Sequence, residues 1–222
     1  MPLTSNRDKR KRSKDYLEFN KNPVPHKQEV DPGLLLHLWS RAVGTASDPW
    51  KPVPFWALAV TSVCFAFLMY LLKTDLLGHH SFWMKGLHRV NLVFHEFGHP
   101  AFSFFGRTMN ILGGTLGQLL IPLIVTVAFW RQRDALGCAV GGFWFFENFL
   151  DVAVYMADAQ VLILPLIGGL GSEAHDWRNL FTLWGVLDKT PLIADTTQTL
   201  GWLGMFTTWI WLGWRWLCSK NN

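Results

Sequence analysis

Residues 87–105 read LHRVNLVFHEFGHPAFSFF, and inside this apolar run stands the pentapeptide His95-Glu96-Phe97-Gly98-His99. A carboxylate and two imidazoles at membrane depth are costly, and chains keep such groups there for a use such as metal binding or catalysis. On a helix, positions four apart share a face. His95 and His99 can therefore grip one ion while Glu96, a step round, reaches the water bound to it. The expectation is a hydrolase holding one zinc ion within a membrane, with Glu96 as general base.

Outward from the motif the chain is a succession of apolar segments. Residues 53–72 carry no charge, and at about 1.5 Å per residue their length matches a hydrocarbon core of roughly 30 Å. Further segments lie at about 87–105, 111–130, 135–157 and 196–217, the last rich in Trp202, Trp209, Trp211, Trp214 and Trp216. The pattern predicts an all-α, polytopic membrane helix bundle of about five transmembrane helices. Between the fourth and fifth, 162–171 is apolar but short and broken by Pro165 and three glycines. It reads as a re-entrant or interfacial segment, which must be covered by protein or line a wet cavity. From Asp176 onward, Trp177, Leu180, Phe181, Trp184 and Leu187 recur at helical spacing. This predicts an amphipathic surface helix with Asp176 as its N-cap.

Composition agrees with this division. Half of the 222 residues are hydrophobic, with 13 Trp and 17 Phe, more than a soluble core of this size needs. The net charge of +4 belongs to the first 51 residues, which hold 10 Lys or Arg against 6 acids. Residues 1–50 read as a flexible basic tail, with 33–43 a candidate interfacial helix, and 51–218 as the helical domain carrying the metal site. A basic stretch ahead of apolar spans fits a cytoplasmic N-terminus touching anionic membrane lipid, and nucleic acid is not an expected partner. On a five-span count, Arg131 and Arg133 then fall on the outer side. Cys64, Cys138 and Cys218 are far apart in apolar sequence and read as small core residues.

Two histidines need a third protein ligand, since a catalytic zinc site leaves its fourth position to water. The metzincin pattern is excluded, because the position six residues after His99 is Phe105. Glu147, Asn148 and Asp151 lie in an otherwise apolar segment, with the two acids four apart. Glu147 is favoured as the ligand and Asp151 as its support from behind. Glu173, His175 and Asp176 form a competing source, with His175 able to fold back onto the metal. Asn148, Gln118 and Asn110 are candidates for stabilising an oxyanion or holding substrate backbone. Gly113 and Gly117 have the spacing of close helix packing, and Pro100 removes one helix hydrogen bond beside the motif.

On His95, Glu96 and His99, over about 87–157, the chain resembles the intramembrane zinc metalloproteases of the site-2 protease type. In that family HExxH lies on the first helix of a three-helix core and an aspartate in a Leu-Asp-Gly motif on the third supplies the last ligand. No Leu-Asp-Gly follows here, and the acids stand in Glu-Asn-Phe-Leu-Asp instead. The resemblance implies a peptidase acting on a membrane protein or peptide. Two other readings compete. A membrane di-iron oxygenase would use HEFGH with His79, His80, His88 and His175, but lacks the His-x-x-His-His boxes such enzymes need. A non-catalytic scaffold or transporter subunit would use the same polar groups as an ion path.

Overall fold

The computed structural model describes residues 48–75, 81–166 and 171–220. The basic tail with its candidate interfacial helix, His79 and His80, and part of the 162–171 segment lie outside the described residues. Within them the fold is all-α: α1 Phe55–Thr74, α2 Phe82–Phe102, α3 Arg107–Arg131, α4 Ala135–Val161, α5 Asp176–Leu183 and α6 Thr190–Lys220. Each of the five apolar segments yields one long helix, and α5 is the predicted shorter one.

Local chemistry sets the boundaries. α1 starts directly after Pro54, whose ring cannot donate a helix hydrogen bond. Ser81 caps α2 by accepting from the Met84 N–H, and Asp134 caps α4 by accepting from the Gly137 N–H at 3.0 Å. α2 ends two residues after Pro100, so the proline sits in its last turn. α4 closes on Leu162 in the left-handed region, φ 58°. There the Asp158 carboxylate accepts from the N–H groups of Ile163 and Leu164 at 2.8 and 3.2 Å. That bond pair turns the chain back toward the bundle.

α4 is the central helix, packed along α6 and α3, and α3 packs along α2. Small residues permit the approach. A side chain on Gly142 would run into Thr208, and one on Gly201 would run into the Phe146 carbonyl at 2.9 Å. The apolar core joins Phe65, Leu72, Met84, Phe143, Leu150, Met205 and Leu212, with Phe65 stacked on Phe143 at 4.1 Å.

The path through the bundle differs from five alternating spans. The Lys51 N–H donates to the Arg133 carbonyl at 2.9 Å, and the Lys51 ammonium meets Asp134 at 3.2 Å. The start of α1 and the end of α3 therefore lie side by side. α1 runs against α6, with Phe55 near Trp216 and the Trp209 indole donating to Ser62. It ends near the start of α2, where the Ser81 N–H donates to Asp75 at 2.6 Å. α2 thus starts and finishes in the half of the bundle away from Lys51. Its composition explains this: Lys85, His88, Arg89, His95, Glu96 and His99 make it too polar for a plain span. Among the described residues two helices, α1 and α3, are long and apolar enough to cross a membrane.

Candidate metal centre

His95, His99 and Asp176 form the one group among the described residues whose ligand atoms lie close enough together to hold an ion, all within 4.8 Å of one another. The two imidazoles come from adjacent turns of α2, with ring centroids 5.0 Å apart. Asp176 comes from the first turn of α5. Its Oδ2 lies 3.0 Å from His95 Nε2 and 3.4 Å from His99 Nε2. His95 and Asp176 are buried, and His99 is partly open.

The outward nitrogen of each ring is fixed by a hydrogen-bond acceptor. His95 Nδ1 faces Gln118 Oε1 at 3.3 Å, and His99 Nδ1 faces the Asn110 carbonyl at 2.9 Å. An amide oxygen can only accept, so each Nδ1 carries a proton and each Nε2 is the nitrogen turned toward Asp176. Two ring nitrogens and a carboxylate oxygen thus converge on one point. A proton on Nε2 or a cation among the three satisfies this donor set, and its nitrogen and oxygen atoms suit zinc.

These contacts are backed in turn. Gln118 Nε2 donates to Asp151 Oδ2 at 2.6 Å, and the other Asp151 oxygen meets His88 Nδ1 at 2.7 Å. Asn110 Nδ2 donates to the His99 carbonyl at 2.8 Å, closing a reciprocal pair between α2 and α3. Gly114 leaves room for the rings, because a Cβ there would lie 2.6 Å from His95 Nε2 and 2.8 Å from His99 Cε1. Gly98, Gly113 and Gly117 bring the two helices into backbone contact at the same level.

Asp176 arrives by a local device in α5. His175, and not Asp176, is the N-cap: its Nδ1 accepts from the Arg178 N–H at 3.2 Å. The imidazole serves the cap, which leaves the Asp176 carboxylate free to face the histidines. The His175 ring packs on Tyr155 at 4.3 Å, and its Nε2 lies 3.3 Å from Asp158, the residue that turns the chain after α4. Burial lowers the His175 pKa against the opposing pull of the Asp158 carboxylate. The Asp176 N–H donates to the Tyr155 hydroxyl at 3.1 Å. Trp177, Leu180 and Phe181 are buried against α4, so the face predicted to be apolar anchors the helix.

Asp176 occupies the position expected of Glu147. The Glu147 carboxylate instead accepts from Asn91 Nδ2 at 3.0 and 3.4 Å, and Asn91 accepts from the Trp144 indole at 2.9 Å. A neutral amide from α2 already satisfies it one turn before the histidines. Asn148 Nδ2 donates to the Trp144 carbonyl. Glu173 is exposed, and its backbone carbonyl accepts from Asn179. His88, a metal candidate only in the di-iron reading, is held by Asp151. Glu96 is exposed. Tyr155 and Gly114 were not singled out from sequence. Tyr155 stands four residues after Asp151 on the same face of α4, a spacing that could have revealed it.

No protein-family model, curated protein or solved structure matches this chain.

Proposed function

We propose that the protein is a membrane-embedded, zinc-dependent hydrolase that cleaves peptide bonds, with His95, His99 and Asp176 as ligands and Glu96 as general base. One observation carries the reading. The inward Nε2 atoms of two imidazoles share one carboxylate oxygen, next to an exposed glutamate in HExxH register. The peptide substrate follows from the resemblance of that motif to site-2 proteases, and a membrane-embedded peptide is the substrate class it implies.

Membrane embedding rests on more than the two apolar helices. α6 turns Leu200, Leu203, Phe206, Ile210, Trp214 and Leu217 outward at helical spacing, and α1 turns out Phe55, Trp56, Val60, Val63, Phe67 and Tyr70. Outward stripes of this kind suit lipid better than water. With α1, α3, α4 and α6 as spans, the chain crosses four times and α2 stays in one half. Lys51, Arg131, Arg133, Arg215 and Lys220 then share one end, which reads as the cytoplasmic side.

A zinc ion here would be held by His95, His99 and Asp176 and would supply Lewis acidity. Glu96 would accept the proton of a water whose oxygen adds to the carbonyl carbon, and would return it to the amide nitrogen as the C–N bond breaks. Gln118, Asn110 and Asn148 are committed to structural bonds and are poor candidates for the oxyanion. Tyr155 is better placed: its oxygen accepts from Asp176, and its own proton remains available for a developing negative charge.

The test incubates purified protein with a hydrophobic transmembrane peptide in ¹⁸O-labelled water and reads new carboxyl termini by mass spectrometry. Wild type should incorporate label, a zinc chelator should abolish it, and Glu96→Gln should abolish it while keeping the metal. Cleavage that persists in Glu96→Gln would refute the assigned mechanism.

A further inference from the structure

We propose that Arg133 and Arg215, packed on Trp50 at the end of the bundle remote from the histidines, bind the phosphate of an anionic phospholipid headgroup. The site rests on the membrane reading but not on the metal or the hydrolysis. The Arg133 guanidinium carbon lies 5.2 Å from the Trp50 ring centroid and that of Arg215 lies 4.6 Å from it. Both guanidinium groups thus lie against one indole. The Nε atom of each is buried and has no hydrogen-bond partner among the described residues. The carboxylate next in sequence, Asp134, is taken by Lys51 and by the Gly137 N–H. Cation–π contact offsets part of the charge, but a ring supplies no acceptor for N–H groups.

The surroundings fit a headgroup layer. Trp50 meets Trp130 and Trp211 edge-on at 5.0 and 5.5 Å, Arg215 also lies 5.6 Å from Trp214, and Lys220 lies 4.1 Å from Trp216. Trp residues of this kind mark the membrane–water interface. A guanidinium presents a planar fork that matches phosphate oxygens; phosphatidylcholine carries the same phosphodiester, but its choline cation is repelled by the two arginines, whereas phosphatidylglycerol has no such cation. Three stretches distant in sequence converge here: the segment before α1, the α3–α4 turn and the end of α6. An anion bound at their junction would tie the three together.

Native mass spectrometry of the full chain in neutral detergent, with added phosphatidylglycerol or phosphatidylcholine, tests this. Wild type should retain phosphatidylglycerol at about tenfold lower concentration than phosphatidylcholine. The double variant Arg133→Gln/Arg215→Gln should retain both lipids alike, with unchanged helical circular dichroism. Should that variant not fold, Arg215→Lys keeps the charge, loses the fork and should lower the preference. Equal retention of the two lipids by wild type, or displacement of phosphatidylglycerol by millimolar inorganic phosphate, would overturn the proposal. Flotation with phosphatidylcholine vesicles reads membrane insertion separately. A chain that floats yet shows no lipid preference loses this site alone.

Discussion

At the residue scale, the centre is built by assigning each polar atom one partner. HEFGH was legible because two histidines and a glutamate in apolar sequence have few other uses. Which acid meets the histidines was not legible, since Glu147 and Asp176 are both acids within reach of a folded chain. What separates them is local satisfaction. Asn91 and Trp144 supply Glu147 with a complete hydrogen-bond chain from α2 and α4, whereas His175 takes over the cap that Asp176 would have made. Asp151, expected to support a ligand at 147, instead accepts from Gln118, whose Oε1 faces His95 Nδ1. The assignment predicts that Gln118→Ala, which frees the His95 tautomer, weakens zinc binding about 10- to 100-fold without releasing the ligands themselves. Competition with a fluorescent zinc chelator measures this, and unchanged affinity would remove Gln118 from its role.

At the element scale, α2 and α3 are held by glycines, and sequence spacing had already marked Gly113 and Gly117. Gly98 and Gly114 complete the contact, because the approach needs small residues on both helices and space for the rings. A Val at Gly98 would press on the Gly113 backbone and should cost about 1–3 kcal/mol of stability. Thermal unfolding by circular dichroism would show it, and a variant as stable as wild type would mean that the helices separate without penalty. Five apolar segments became five long helices, since hydrophobic runs report burial from water well. They do not report direction, and α2, read as a span from Leu87, Val90, Val93 and Phe94, carries six ionisable side chains and is not among the described helices long and apolar enough to cross a membrane.

At the scale of the whole molecule, the bond from Lys51 to Arg133 decides the topology. No local pattern encodes that contact between residues more than 80 apart, so alternating spans were the natural reading. Single-cysteine labelling in membranes, in a background lacking Cys64, Cys138 and Cys218, should find Asp48→Cys and Arg131→Cys accessible from the same side. Labelling from opposite sides would restore five alternating spans and disperse the basic end.

The central claim is that His95, His99 and Asp176 hold one ion. Elemental analysis of zinc-loaded, gel-filtered protein tests it most directly, alongside Asp176→Ala and Glu147→Gln variants that retain helical circular dichroism. The account predicts about one zinc per chain in wild type and in Glu147→Gln, and next to none in Asp176→Ala. Full zinc in Asp176→Ala, or its loss from Glu147→Gln alone, would contradict it.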